Sequence, residues 1–350
     1  MVSYVLINKP AAVVYSAPSR TKQDEKGFYV STVSDEGLYG NVCRVLKEEP
    51  DCLYILSSYG YAGYIDKNAV LPASGQEIRA WLDHVQVVDG TCVDILTAPT
   101  VHGSCLLTLP RGALVKPLEP SEEGYTKVCL ADGTTGYIAS NRLMEKRFGE
   151  ELLMEDPALL IELQKNAVSE REREAGGKTG FDFKKVLDKW YGGHNADSAG
   201  TVLSYEEKEA SFRKDLVCTA KKYLGIQYRW GGRSSFGIDC SGLTHMSYLL
   251  CGVHIFRDAA IVKNYPLKRL ELQWTDHRFD LSNLESNVLR PGDTLYFPGH
   301  VAMYLEDGLY IHSTGKAGDM GVVINSLRPG HPQFRADLLE KLYAAAGLRL

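Results

Sequence analysis

A glycine-rich loop that runs directly into a helical pattern constrains this chain most strongly. The segment YRWGGRSSFGIDCSGLTHMSYLL begins at Tyr228, and Cys240 stands where the loop feeds the helical pattern. Gly252 follows the apolar stretch in the position of a helix C-cap. After the PGD turn at 291–293, the pattern changes to the strand-like runs TLYF, HVAMYL, LYIHS and VVINSL. Helices followed by an antiparallel sheet predict an α+β domain.

This domain has a clear helical start. Ser204 is followed three residues later by Glu207, which makes a capping box, and an amphipathic stretch continues to about Leu224. We therefore place the α+β domain at residues 204–350.

Residues 1–145 read instead as short strands separated by turn residues, with a weak internal repeat. Gly63-Tyr64-Ile65 recurs as Gly136-Tyr137-Ile138, and an Ala-Pro pair at 17–18 recurs at 98–99. Asp132-Gly133 predicts a tight hairpin turn. Two small all-β units at 1–80 and 81–148 fit this pattern.

Residues 149–203 differ from both flanking regions. Charge-rich helix formers alternate with glycine clusters, which predicts a helical linker with a break near Gly176-Gly177. The charge run from Glu170 to Glu174 predicts a solvated face.

Composition narrows the function classes. With 350 residues, 44% apolar and 24% charged, the chain is typical of soluble globular proteins, and its net charge of −5 argues against a nucleic-acid partner. No apolar run approaches the roughly 20 residues of a membrane span, and no secretory leader is evident, so we expect a cytoplasmic protein. The eight cysteines are irregularly spaced, which predicts reduced thiols and no disulfide framework.

Cys240 is the candidate nucleophile among these cysteines. Its neighbours are polar and glycine-rich, and a helix N-terminus stabilises the thiolate, so we expect a lowered thiol pKa. A thiolate nucleophile needs a base and a group that orients the base, which His300 and His312 can supply. A metal site made of these three side chains is the alternative, but no fourth ligand at a sensible spacing is evident, so we expect no metal.

The two histidines can cooperate only if they point to one face of the sheet. A two-residue turn at Asp307-Gly308 would pair Met303 with His312 and place His300 on the opposite face. A three-residue loop at 306–308 would pair Ala302 with His312 and place both rings on one face. We therefore predict the three-residue loop, with Gly308 in the left-handed conformation.

Four ordered motifs carry a resemblance to a known family. YxWGGxxxxGxDCSG, RPGDxxxF, GHVAxY and a later His-Ser closely resemble the NlpC-type cysteine peptidases of bacterial cell-wall metabolism. The resemblance covers about residues 205–330 and implies a papain-like fold that cuts peptide bonds in peptidoglycan stems. It also implies that Cys240 is the nucleophile, His300 the general base and His312 the residue that orients the base.

The resemblance further implies a substrate groove. Phe256 stands where proline is common in the family, so the pose of the two residues after it is not fixed by the motif. The residues that match groove positions are Tyr228, Trp230, Asp239, Ser241, Arg257 and Asp258. In the family, the residue matching Asp239 helps to hold the free amine of an N-terminal L-Ala; the alternative is that Asp239 only caps the Cys240 helix.

The run GYTKVCLADGTTGYIASNRL of the second all-β unit resembles the bacterial SH3-like domain, a small barrel found beside cell-wall enzymes. Two SH3-like barrels ahead of a papain-like α+β domain resemble the γ-D-glutamyl-L-diamino acid endopeptidases. This implies hydrolysis of the γ-D-glutamyl–diamino acid bond in murein tripeptides or tetrapeptides with a free N-terminal L-Ala, a role in murein peptide recycling, and no cofactor. An amidase or acyltransferase of the same fold, and a non-catalytic wall-binding protein, remain alternatives.

Overall fold

The structure is a computed structural model that describes residues 4–120, 123–149, 181–192, 203–261 and 266–350. The chain divides into two compact units: Met1–Glu162 with Arg229–Ile238, and Leu163–Tyr228 with Asp239–Leu350. The predicted linker lies mostly outside the described residues, as do its glycine break and the charge run at 170–174. Its described part contains a helix at Phe183–Tyr191.

The N-terminal unit consists mainly of strands. Those of its first half are β1 (Tyr4–Ile7), β2 (Ala11–Tyr15), β3 (Thr21–Gln23), β4 (Tyr29–Ser31), β5 (Val33–Leu38), β6 (Val42–Glu48), β7 (Cys52–Ser57), β8 (Ala62–Asp66) and β9 (Val70–Ala73). Those of its second half are β10 (Gln86–Val88), β11 (Val93–Leu96), β12 (Cys105–Leu109), β13 (Leu114–Pro120), β14 (Tyr125–Cys129), β15 (Thr135–Ala139) and β16 (Leu143–Glu145). Short 3-10 helices lie at Lys67–Ala69 and Ser140–Arg142.

The two halves form two seven-stranded sheets with the same topology. Their strand orders are β5-β2-β8-β7-β6-β1-β9 and β12-β11-β15-β14-β13-β10-β16, so each strand has a counterpart at the same place in the other sheet. The weak sequence repeat is therefore confirmed as a repeat of topology. Within the described residues the end strands of each sheet are not paired with each other, so these are open sheets and the predicted closed barrels are not observed.

A glycine occupies the same place in both copies. A Cβ atom on Gly63 in β8 would lie 2.5 Å from Cγ1 of Val14, and a Cβ atom on Gly136 in β15 would lie 2.5 Å from Cγ2 of Ile95. Both contacts are shorter than van der Waals separation, because β8 and β15 run close to β2 and β11. The repeated glycine is therefore required by close packing.

A short helix that the sequence analysis did not predict connects the two sheets. Helix α1 (Gly75–Leu82) begins with a capping box at Ser74 and buries Trp81, whose indole N–H donates to the Gly40 carbonyl at 2.9 Å. The Tyr39 hydroxyl accepts from the backbone N–H of Ala131 at 2.9 Å. The two sheets are therefore joined by buried side chains as well as by the chain itself.

The segment Arg229–Ile238 belongs to this N-terminal unit, where β17 (Arg233–Ser234) pairs with β18 (Gly237–Ile238). Glu36, only 2% exposed, accepts from the Arg229 guanidinium at 3.2 Å and from the backbone N–H of Arg233 at 3.0 Å. The Arg233 guanidinium lies 4.3 Å from the ring centre of Tyr59. Buried charges are tolerated when they are paired in this way.

The C-terminal unit has the predicted α+β architecture. Its helices are α2 (Phe183–Tyr191), α3 (Tyr205–Lys221), α4 (Cys240–Leu250) and α5 (Ala336–Leu339), with a 3-10 turn at Leu281–Leu284. Its further strands are β19 (Lys268–Arg269), β20 (Trp274–Thr275), β21 (Arg278–Phe279), β22 (Thr294–Phe297), β23 (His300–Tyr304), β24 (Leu309–Thr314), β25 (Gly321–Ser326) and β26 (Ala344–Gly347). The main sheet is antiparallel in the order β19-β26-β22-β23-β24-β25.

Local signals at the helix ends agree with the sequence analysis. The Ser204 hydroxyl accepts from the backbone N–H of Glu207, and the Glu207 carboxylate accepts from the backbone N–H of Ser204. The predicted capping box is therefore confirmed. Helix α4 ends at Leu250, and Gly252 follows with φ of 91°. All eight cysteines are free thiols. No helix in the described ranges is both long and apolar enough to cross a bilayer.

Candidate active site

Cys240 is the first residue of α4, as predicted. Its predecessor Asp239 is the N-cap: one carboxylate oxygen accepts from the Gly242 backbone N–H at 2.7 Å and from the Ser241 hydroxyl at 3.0 Å. The whole of α4 is buried, and its polar side chains are hydrogen-bonded: Ser241, Thr244, His245 and Ser247. The N-cap and the burial together hold the thiol in one place.

The surroundings of the thiol oppose the lowered pKa that we expected for it. Burial raises the pKa of Cys240 to about 12, and the negative charge of Asp239 acts in the same direction. Hydrogen bonds from the backbone N–H groups of Val301 and Ser241 to the sulfur lower the pKa, as does the Arg257 charge, but they do not outweigh burial. The free-energy cost of removing a thiolate from water exceeds the stabilisation that the helix N-terminus provides.

His300 and His312 lie in direct contact. His300 Nε2 is 2.7 Å from His312 Nδ1, and the two rings are nearly perpendicular. Burial lowers the pKa of His300 to about 3 and the pKa of His312 to about 4. Both imidazoles are therefore neutral near pH 7, so the resting site holds a neutral thiol beside two neutral histidines.

The hairpin that carries the histidines has the predicted register. Met303 pairs with Ile311 and Tyr304 with Tyr310, which places Ala302 across from His312. Leu305 and Leu309 close a three-residue loop at 306–308, in which Gly308 has φ of 76°. The three-residue loop is confirmed, and it is the reason that both rings share one face.

Asn325 completes the row, and the sequence analysis missed it. Its Oδ1 lies 2.8 Å from His312 Nε2, and the residue is 8% exposed. Asn325 pairs with Tyr310 across the β24–β25 ladder, so it projects from the same face as His312, as its diagonal neighbour. The available signal was a lone amide in the strand-like run VVINSL.

Several predicted groove residues surround Cys240 within the C-terminal unit. The Arg257 guanidinium pairs with the second carboxylate oxygen of Asp239, and both residues are buried. The Tyr228 hydroxyl keeps its proton, because burial and the nearby Cys240 and Asp239 raise its pKa. The structure thus shows Asp239 as a helix cap and as the partner of Arg257.

The remaining groove candidates are placed differently. The Ser241 hydroxyl donates to the cap carboxylate, and Asp258 is half-buried with φ of 148°, a backbone conformation that an L-residue rarely adopts. Trp230 belongs to the N-terminal unit, where its indole N–H donates to the Val33 carbonyl at 3.0 Å while 67% of the residue stays exposed.

In the described part of the chain, no three His, Cys, Asp or Glu side chains are arranged to hold a metal ion. The chemistry of the site is that of a thiol, two imidazoles and an amide.

Comparison with known proteins agrees with this geometry. Residues 225–336 match the model of the NlpC/P60 family. Dipeptidyl-peptidase 6 of Lysinibacillus sphaericus is 31% identical over 319 residues, which cover 90% of this chain and 91% of that protein. A γ-D-glutamyl-L-lysine dipeptidyl-peptidase of Bacillus cereus is 36% identical over 107 residues, and the alignment spans 28% of each protein.

A solved structure shows the same fold over the whole length. The crystal structure of an NlpC/P60 family protein from Bacillus cereus superposes with a TM-score of 0.60, covering 98% of both chains at 19% sequence identity. The agreement of family model, full-length relative and site geometry identifies the chain as a member of the NlpC/P60 family of cysteine peptidases.

Proposed function

We propose that this protein hydrolyses the bond between γ-D-glutamate and the diamino acid in murein tripeptides and tetrapeptides. The observation that carries the proposal is the hydrogen-bonded row of His300, His312 and Asn325 on the strands beside the Cys240 thiol, in which His312 and Asn325 are buried. The activities for which two relatives are named, dipeptidyl-peptidase 6 and γ-D-glutamyl-L-lysine dipeptidyl-peptidase, support the substrate class.

The proposed mechanism starts from the neutral thiol and imidazole. His300 takes the thiol proton as the Cys240 sulfur attacks the γ-D-glutamyl carbonyl carbon, which forms the carbon–sulfur bond and moves the carbonyl electron pair onto oxygen. The attack and the proton transfer are coupled, because a free thiolate is unfavourable in this buried position. His312 orients the His300 ring through their 2.7 Å contact.

Breakdown of the intermediate completes the reaction. The oxyanion is held by hydrogen-bond donors that include the Cys240 backbone N–H. When the electron pair returns to the carbonyl, the carbon–nitrogen bond breaks and His300 gives its proton to the leaving amine. Water then hydrolyses the thioester and restores the Cys240 thiol.

The finer architecture is part of this proposal. We infer that the two open sheets of the N-terminal unit are SH3-like, because they share one strand order and one repeated glycine. Recycling of murein peptides in the cytoplasm is the proposed setting, and cell fractionation with an antibody to the protein tests it.

The reaction is tested by mass spectrometry of products from a panel of stem peptides. The panel contains L-Ala-γ-D-Glu-L-Lys, its meso-diaminopimelate counterpart, and amide and ester substrates for the alternative activities. We expect release of the dipeptide L-Ala-γ-D-Glu from the first two, and no release by the Cys240→Ala variant. Intact tripeptides together with cleaved amide or ester substrates would overturn the proposal.

A second test concerns the free amine of the substrate. The Asp239 carboxylate lies beside Cys240 and already pairs with Arg257, so a substrate ammonium there would share this charge. A buried charge-assisted contact is worth roughly 1.5–3 kcal/mol, or about 10–150-fold in kcat/KM. We therefore expect N-acetylation of the peptide to lower kcat/KM at least about tenfold. Equal rates for free and acetylated peptides would show that the amine is not recognised.

A further inference from the structure

The amide of Asn325 stands at the end of a row of three side chains in the C-terminal unit. Its Oδ1 lies 2.8 Å from His312 Nε2, and His312 Nδ1 lies 2.7 Å from His300 Nε2. His312 is completely buried and Asn325 is 8% exposed. Each hydrogen bond in this row therefore determines where the proton of its neighbour resides.

The proton positions follow from the chemistry of the groups. A neutral imidazole has one N–H and one lone pair, and an amide oxygen can only accept. An oxygen facing His312 Nε2 therefore places the His312 proton on Nε2 and leaves Nδ1 as an acceptor. His300 must then donate from Nε2, which leaves the lone pair of His300 on Nδ1.

The opposite amide orientation would produce the opposite result. If the amide nitrogen donated to His312 Nε2, His312 would carry its proton on Nδ1 and donate it to His300 Nε2. His300 would then carry its own proton on Nδ1 and would have no lone pair free to accept one. Only an accepting Asn325 makes His300 a base.

We propose that Asn325 is a positioning residue that selects the Nε2–H tautomer of both histidines and so keeps His300 Nδ1 available for the Cys240 proton. The inference rests on the proposed role of His300 as the base. It extends the site by Asn325, whose contact with the row is through His312. It acts through two hydrogen bonds in series.

The charged groups around the row oppose one another. The Arg335 charge lowers the pKa of both histidines, whereas Asp319 and Asp337 raise the pKa of His312. Arg335 is itself held by Asp337 at 2.7 Å. The net result is that both rings stay neutral near pH 7, the state in which tautomer selection has meaning.

A direct measurement uses the ¹⁵N spectrum of the histidine side chains in the full chain at pH 7, without substrate. The spectra of the His300→Gln and His312→Gln variants assign the signals. We expect both histidines to be protonated at Nε2 in the unmodified protein. An Nδ1–H signal for His300 would overturn the inference even if the protein cleaves its peptide, and the expected tautomers would support it even if the proposed substrate is wrong.

Two variants then test the consequence for catalysis. Asn325→Leu removes the acceptor at similar volume, so we expect a mixture of tautomers and a kcat at least about tenfold lower with a nearly unchanged KM. Asn325→Asp keeps an acceptor, so kcat should be largely retained. Its negative charge raises the pKa of the histidines, so the acid limb of the pH profile of kcat should move to higher pH.

The matched control is Ile324→Val, which changes the neighbouring residue on the other face of β25 and should leave the tautomers and the pH profile unchanged. A wild-type kcat in Asn325→Leu would overturn the proposal. If Asn325→Leu does not fold, the pH profile of kcat for Asn325→Asp and the ¹⁵N spectrum of the wild-type protein test the proposal instead. An acid limb at the wild-type pH together with Nδ1–H histidines would overturn the proposal.

Discussion

The sheets of the two units differ in where they bury polar side chains. In the N-terminal sheets the clusters around Val14 and around Ile95 are apolar. The buried carboxylate of Glu36 lies at the edge of the first sheet, on the end strand β5. In the C-terminal sheet a row of three polar side chains lies on the same face as apolar Ala302 and Tyr310. Two hydrogen bonds between the members of the row offset the cost of burying His312 and the Asn325 oxygen.

This difference indicates which substitutions should affect stability and which should affect turnover. The N-terminal sheets depend on a glycine that allows two strands to pack closely, so a change there should affect stability. The C-terminal sheet holds the row of His300, His312 and Asn325, for which we propose a role in proton transfer, so a change there should affect turnover. Four predictions test this division, in order of decreasing effect.

The largest effect is expected for Cys240→Ala. Loss of the proposed nucleophile should lower kcat at least about 1,000-fold. Removal of one sulfur atom should move the midpoint of thermal unfolding by less than about 4 °C. Peptide turnover and a thermal melt measure the two quantities. Turnover above a tenth of the wild-type value would end the cysteine-peptidase assignment of this residue.

The two histidines should differ in their effects. His300→Ala removes the proposed base and should lower kcat/KM by about 100- to 10,000-fold, the usual range for a general base. His312→Ala removes only the orienting partner, so the loss should be smaller. Steady-state kinetics on the same peptide compares them. A larger loss in His312→Ala would reverse the proposed roles.

The repeated glycine should matter equally in both N-terminal sheets. Gly63→Ala and Gly136→Ala each place a methyl group 2.5 Å from a neighbouring side chain, so each should lower the free energy of unfolding by about 1–3 kcal/mol. Gly75→Ala is the control. Gly75 is the first residue of α1, and a Cβ atom there would lie 3.6 Å from its nearest neighbour, Cε2 of Tyr4. Urea unfolding measures all three. An unchanged free energy of unfolding in either variant would contradict the structural equivalence of the two sheets.

The smallest effect, at most about 1.4 kcal/mol per pH unit for each histidine, concerns pH. The folded protein holds His300 and His312 with pKa values of about 3 and about 4, below the roughly 6.5 of an unfolded chain. The unfolded state therefore binds more protons between about pH 6.5 and 4, and the free energy of unfolding should fall as the pH is lowered through this window. His312→Gln should show a shallower fall in urea titrations. An identical slope would contradict burial of a neutral His312.

Local signals in the sequence were sufficient for several features. The capping box at Ser204, the position of Cys240 at the start of α4, and the loop at 306–308 each depend on residues a few positions apart. Such signals act through backbone geometry and short-range hydrogen bonds, so they can be interpreted without the tertiary fold. The α+β architecture and the repeat followed from the order and spacing of these elements.

Other features depended on residues distant in the chain. The membership of Arg229–Ile238 in the N-terminal unit rests partly on Glu36, which lies nearly two hundred positions earlier. The contact of Asn325 with His312 needs the β24–β25 register, which no local motif specifies.

The protonation state of the site also depended on the tertiary fold. A helix N-terminus lowers a thiol pKa, and the sequence alone determined that Cys240 would stand there. Burial decided the outcome, since the packed core around α4 excludes the water that would solvate a thiolate. The sequence thus determined which groups are present and their order, whereas the fold decided how much water reaches them and therefore which protons they hold.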